Sequence, residues 1–264
     1  MAVPNPTTVS VFDDQQRAWR EYTASPWARI RYAVVAETLR RNLDALDEER
    51  LRVLDVGGGD GLDALPLAQA GHEVTLLDPS EPMLAQARES AGRLGVADRL
   101  RTVPGSLDDL ASLGDGWDVV LCHFVLRYRP ADAVDVPRLT AAVRPGGVLS
   151  VLDANPAGAV LGRAARQGPA AALDLLAADS LHSVVFDEDT RKITDTEMRK
   201  ALEDAGCEVI AQYGGRVVND LLTDDAAKQD PAYFEDLLRL ELALCDREPF
   251  NRIGQFWQVV ATRI

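Results

Sequence analysis

The sequence predicts an α/β protein built on a doubly wound, mostly parallel sheet. Three observations predict it. From Leu51 onward, apolar strand-like runs alternate with amphipathic helical runs, the order that yields a parallel sheet with helices on both faces. The first strand runs straight into a glycine turn, LRVLDVGGGDG from Leu51 to Gly61, the opening of a nucleotide-binding unit. Finally, Asp55, Asp78, Ser106, His123 and Asp153 all fall at or near predicted strand ends, and ligands of such sheets bind beyond the carboxyl ends of the strands.

Each element follows from its own residues. Residues 1–11 carry Pro4, Pro6, Thr7, Thr8 and Ser10, a flexible lead-in. Phe12 to Tyr22 has helical spacing, Ser25-Pro26 breaks it, and Trp27 to Leu46 reads as a longer amphipathic helix bearing Arg31. Residues 1–50 are therefore read as a helical cap before a main domain at 51–264. In that domain the predicted strands are Leu51–Val56, His72–Leu77, Arg99–Val103, Trp117–His123, Val148–Asp153, Cys207–Tyr213 and Gln255–Thr262. The predicted helices are Leu62–Ala70, Pro82–Leu94, Ala131–Val143, Asp195–Ala205 and Asp230–Cys245. Thr194 and Glu197 have the capping-box spacing for the fourth of these. Residues 154–193 interrupt the alternation after the fifth strand and read as one or two inserted helices.

The glycine turn is not the dehydrogenase fingerprint, because its glycines are too close for G-x-G-x-x-G. Gly57, Gly58 and Gly59 let a ligand approach the backbone. Asp60 stands at the start of the following helix, where it repels a pyrophosphate and suits a cation. Asp78 ends the second strand, where an acid takes ribose hydroxyls. A ligand with ammonium, sulfonium and ribose but no phosphate fits this set, and S-adenosylmethionine is that ligand.

Charge and cysteines narrow the field. Forty-two acidic against 28 basic residues leave a net charge of −14, which repels polyphosphate. No apolar run reaches membrane length and no signal-peptide pattern opens the chain, so a cytoplasmic protein without a membrane partner is expected. Cys122, Cys207 and Cys245 lie far apart, so buried thiols are expected and no metal site. The helices before Leu51 can cover the pocket or pair two subunits, leaving monomer and homodimer open.

End to end, the chain resembles the class I S-adenosylmethionine-dependent methyltransferases, and within them the enzymes that methylate the carboxyl of 5-carboxymethoxyuridine in tRNA. The stretches that carry the resemblance are LRVLDVGGGDG, LLDPSEPMLAQA, LCHFVLRY, VRPGGVLSV, DANPAG, GGRVVNDLL, LELALCDREPF and the following GQF. It implies a Rossmann-like seven-stranded sheet with an antiparallel last strand, and cofactor contacts at Arg31, Gly57, Gly58, Asp78, Ser106, Leu107 and His123. Asp55 and Gly59 join that set from the glycine turn itself. His123 either binds the cofactor or serves as general base. Arg129 is a candidate anchor for an anionic acceptor, and Trp27, Tyr128 and Arg216 are candidates for the acceptor pocket. The tRNA enzymes share a lysine-rich tract in the insertion, where this chain has FDEDTRKITD. The acidic tract and the net charge favour a small-molecule methyl acceptor over tRNA. An inactive cofactor-binding scaffold is the third reading.

Overall fold

The computed structural model describes residues 23, 25–46, 48–131, 134–183 and 187–264. The expected helix at Phe12–Tyr22 and the lead-in before it lie outside the described residues. The first described helix, α1 (Pro26–Leu43), starts where its chemistry dictates. Ser25 caps it by accepting the N–H of Ala28 at 3.3 Å, and Pro26 takes the first turn, where a missing N–H costs nothing.

One seven-stranded sheet organises the chain: β1 (Arg52–Val56), β2 (Glu73–Asp78), β3 (Leu100–Pro104), β4 (Trp117–His123), β5 (Val143–Ala154), β8 (Cys207–Gly215) and β9 (Phe256–Arg263). Its order is β3-β2-β1-β4-β5-β9-β8. β9 runs antiparallel to both neighbours, and the remaining pairings are parallel. This is the doubly wound sheet with an antiparallel last strand that the alternation and the resemblance led us to expect. The central strands are buried on both faces: all seven residues of β4 are buried, as expected of a covered parallel sheet. One core layer packs α1, the helix α2 (Leu65–Gln69) and α3 (Glu81–Leu94) against one face through Ile30, Val34, Leu39, Leu65, Leu84 and Ala87. The opposite face holds Leu54, Val120, Leu149 and Trp257 under α4 (Asp135–Ala142) and α7 (Asp195–Asp204). The capping box at the start of α7 forms as predicted, with both Thr194–Glu197 bonds made.

Four elements depart from expectation. α2 starts at Leu65 rather than Leu62, because the turn after the glycines continues through Gly61, which has φ +80°. α4 begins at Asp135, since Pro137 is tolerated only within a first turn. β5 begins five residues early and takes in the Arg-Pro-Gly-Gly turn, with a register irregularity opposite Trp117 and Val119. Between β5 and α7 stand two helices, α5 (Pro156–Gln167) and α6 (Pro169–Ala177). A two-stranded hairpin, β6 (Ser180–Ser183) with β7 (Glu188–Arg191), follows them and was not anticipated. β7 reads Glu-Asp-Thr-Arg, which has no apolar alternation from which to recognise a strand. The last helix, α8 (Pro231–Leu244), packs against α1.

Candidate active site

The strand register brings the expected residues to one rim. Asp55 pairs with Leu76 of β2 and Leu121 of β4, Asp78 with Pro104 of β3, and His123 with Leu152, one residue before Asp153. Between them runs the glycine loop. Gly57 and Gly59 have φ of +71° and +53°, a region open to glycine at little cost. A Cβ on Gly58 would stand 2.6 Å from the Oδ2 of Asp55 and 2.8 Å from Leu76. The loop therefore lies flush on the strand at Gly58. Asp78 ties it down: one oxygen accepts the N–H of Gly59 at 2.9 Å and the other that of Ser80 at 2.8 Å.

The electrostatics of this cradle are lopsided. Asp55, Asp60, Asp63 and Asp78 surround it, all nearly buried. The Oδ2 of Asp55 is buried without a hydrogen-bond partner. Burial first, then the charge of Asp63 beside it, push the Asp55 carboxyl well above its ordinary range. An orphaned, high-pKa carboxyl under a glycine loop is the signature of a site awaiting a cation. S-adenosylmethionine, with its ammonium and sulfonium, fits that demand.

Arg31 and His123 belong to a hydrogen-bonded chain that the sequence did not reveal. Both guanidinium ends of Arg31 donate to the carboxylate of Asp63, one at 2.6 Å. His123 sits 2.9 Å from the same carboxylate through Nδ1 and 2.9 Å from the Ser150 hydroxyl through Nε2. Gln258 donates to that hydroxyl at 3.0 Å. The carbonyl oxygen of Gln258 lies 2.7 Å from the hydroxyl of Thr38, back on α1. The chain thus closes from α1 through the glycine turn, β4, β5 and β9 to α1 again. Burial works to raise the carboxyl of Asp63, but the charge of Arg31 and the bonds from His123 and Arg31 outweigh it and hold it at about 2.

A general base needs a ring nitrogen that can reach the acceptor, and here both nitrogens of His123 are engaged, in a side chain 3% exposed. Arg129 is engaged as well. Its guanidinium bridges Asp108, at 2.8 and 2.9 Å, and Asp135, at 3.0 and 3.1 Å, and these carboxylates push its pKa up. It clips the β3–β4 connection to α4, and four of its five N–H donors are spent on these two carboxylates.

The other candidates are placed as follows. Ser106 caps the 3₁₀ turn that begins at Leu107, and its N–H and hydroxyl are both bonded to Asp109. Leu107 is buried. Trp27 lies half-buried in the first turn of α1. The Tyr128 hydroxyl donates to Ser183 of the hairpin at 3.1 Å. Arg216, at φ +55°, is held by Asp220. Asp153 ends β5, and burial pushes it up to about 6 against the charge of Arg127.

Sequence reading missed Asp63 and Arg127. Asp63 carried a weak signal, an acid between Leu62 and Ala64 in a stretch otherwise read as apolar helix. Arg127 carried none that separates it from Arg129, two residues on. Among the described residues, no group of three or more metal-binding side chains is found, and no helix is long and apolar enough to cross a membrane.

The chain is similar to known proteins over this same framework. A methyltransferase-domain family matches residues 53–147, which span the glycine loop and β1 to the turn within β5. The tRNA 5-carboxymethoxyuridine methyltransferase of Escherichia coli (strain K12) is 30% identical over 262 residues, covering 96% of this chain and 95% of that protein. A ubiquinone biosynthesis O-methyltransferase of Rhizobium leguminosarum bv. trifolii is 31% identical over 169 residues, 63% of this chain and 62% of that protein. Among solved structures, magnesium protoporphyrin IX methyltransferase from Synechocystis PCC 6803 aligns with a TM-score of 0.63 at 19% identity, covering 97% and 96% of the two chains. The end-to-end match and the shared sheet lead to one family: this chain belongs to the class I S-adenosylmethionine-dependent methyltransferases.

Proposed function

We propose that the methyl acceptor of this enzyme is a small molecule. The observation that carries the reading is how the insertion disposes of its cations. Arg191 donates to the carbonyls of Arg129 and Pro130, both at 2.9 Å, and Lys192 donates to those of Leu175 and Ala178. Arg166 is paired with Asp225 at 2.9 Å. The acidic Asp187, Glu188 and Asp189 precede Arg191 and Lys192 in a chain of net charge −14. Phosphate contacts supply most of the affinity for a nucleic acid, and the insertion offers carboxylates where such contacts would be needed.

S-adenosylmethionine, when bound, supplies an electrophilic methyl on a sulfonium. The chain's own residues hold and orient. Asp55, Asp60 and Asp78 would offer carboxylates to the cationic cofactor, with Asp78 placed to accept ribose hydroxyls, and the flush glycine loop would admit a backbone contact. Arg31, held by Asp63, would meet the cofactor's carboxylate, and His123 bonds Asp63 from the other side. Burial of the cradle strengthens each of these contacts and keeps water from the methyl group.

Esterification of 5-carboxymethoxyuridine in tRNA is the second reading, favoured by the 96% coverage of the E. coli enzyme's match. The test is methyl transfer with tritiated cofactor at physiological salt, offered tRNA carrying 5-carboxymethoxyuridine and, separately, a metabolite panel. Label in a small-molecule product with none in tRNA supports the reading. Base-labile label in tRNA overturns it. Cofactor binding with no transfer to either pool would indicate a scaffold.

A further inference from the structure

Four arginines stand at the carboxyl rim of the sheet or on the elements over it: Arg31, Arg127, Arg129 and Arg216. Three face carboxylates through two guanidinium nitrogens: Arg31 with Asp63, Arg129 with Asp108, and Arg216 with Asp220. Arg127 is held differently. Its Nε and Nη2 both donate to the single hydroxyl oxygen of Thr190, at 3.0 and 2.7 Å. Its carboxylate neighbour, Asp153, lies 3.7 Å from Nε, beyond hydrogen-bond distance. The oxygens of Asp153 accept the backbone N–H groups of Arg127 and Ala154. Among the described residues, Nη1 of Arg127 has no hydrogen-bond partner. A guanidinium carries five N–H donors in a fixed fork, so most of this one's capacity is unspent.

The surroundings make that significant. The side chain is 10% exposed, and its guanidinium carbon lies 5.9 Å from the ring of Phe124 and 5.7 Å from that of Tyr128. Asp153 supplies an anion at ion-pair distance, but an enclosed guanidinium is costly until its N–H donors also find acceptors. Every residue of β4 is buried, whereas Phe124, Val125, Arg127 and Tyr128 after it are each partly open, as the wall of a cleft would be. Phe124 takes φ +59°, a strained value for a ring-bearing residue that persists only where the surroundings hold it. Its ring also lies 5.3 Å from the guanidinium carbon of Arg31, so Arg127 and the cofactor cradle share one aromatic neighbour. The hydroxyl that seats Arg127 comes from β7, and it is itself fixed by donating to the carbonyl of Leu181 at 3.0 Å. Tyr128 is likewise tied to Ser183 of β6.

We propose that Arg127 anchors an anionic group of the methyl acceptor, which makes the acceptor a small organic acid and the hairpin β6–β7 the element that sets specificity. The proposal rests on the small-molecule reading. Asp153 stands at ion-pair distance from Arg127, and the hairpin, holding the guanidinium through a neutral oxygen, leaves its remaining N–H donors to be met by the ligand. Arg129, the arginine expected from sequence to bind an anion, is neutralised by its own fold.

The test uses the full chain saturated with S-adenosylhomocysteine and a set of matched probes: benzoate, phenylacetate and indole-3-acetate, each with its primary amide, titrated by calorimetry. At least one acid is expected to bind about tenfold more tightly than its amide, the scale of one charge-assisted pair. Arg127→Gln should erase that preference, Arg127→Lys should restore part of it, and Thr190→Val should weaken it. Affinity for S-adenosylhomocysteine should be unchanged throughout, which also shows that the variants fold. Acids and amides binding the wild type alike, no acid binding at all, or an acid preference that survives Arg127→Gln would each overturn the proposal. Failure of the small-molecule reading looks different, because label would then pass to tRNA whatever the probes do.

Discussion

Asp55 is a buried carboxyl near the end of β1 that carries a cost in stability. Its carboxyl is held up by burial and by Asp63. The unfolded chain therefore ionises it more readily than the folded one, and its contribution to stability falls as pH rises above about 4. Asp55→Asn removes this cost. The variant should melt higher than wild type at pH 7 without ligand, with no gain near pH 3, and should bind S-adenosylmethionine more weakly. Calorimetric melting at the two pH values and a cofactor titration check both halves. Asp63 behaves oppositely. Its pKa is held at about 2, so its stabilisation is complete above pH 4 and is lost as pH falls through 2. Urea midpoints of wild type and Asp63→Asn should differ at pH 7 and converge toward pH 2. Because Asp63 orients Arg31, the same variant should lose about tenfold in affinity for S-adenosylmethionine and none for 5′-methylthioadenosine, which lacks the amino-acid end. Equal losses for both ligands would reduce Asp63 to a fold-keeping role.

At the scale of elements, close approaches locate the hairpin and helices of the insertion. α5 lies so tightly on the turn before β9 that a Cβ on Gly158 would stand 1.9 Å from the carbonyl oxygen of Gly254. Gly158→Ala should cost about 1–3 kcal/mol by overpacking, seen as a fall in Tm of roughly 2–4 °C per kcal/mol. Gly168→Ala, where nothing lies within 4 Å of the added carbon but φ is +87° and ψ 176°, should cost about 1–3 kcal/mol from backbone strain alone. Elements of regular pattern were legible from sequence. The run Trp117–His123 is apolar enough to be a covered strand, and Thr194 with Glu197 announces α7. The β6–β7 hairpin was illegible, because its strands hold few apolar side chains and its pairing is set by where the insertion folds back. The site was half legible for the same reason. Asp55, Asp78 and the glycines follow from strand ends and turn chemistry. The pairing of Arg31 with Asp63 spans 32 residues, and the choice between Arg127 and Arg129 depends on which carboxylates the tertiary fold delivers.

For the whole molecule, net charge and family likeness point to different acceptors, and ionic strength separates them. If the acidic surface governs, tRNA binding should be undetectable at physiological salt and also weak at 50 mM, where counterion release would otherwise favour it. A steep salt dependence with tight binding at 50 mM would reveal a basic footprint on the molecule. Both acceptor readings share one foundation, a carboxylate-ringed cradle that selects a cationic cofactor. The most direct measurement is a pair of calorimetric titrations, with S-adenosylmethionine and with neutral 5′-methylthioadenosine. The account predicts that S-adenosylmethionine binds at least about tenfold more tightly. Equal affinity for the two ligands would contradict it.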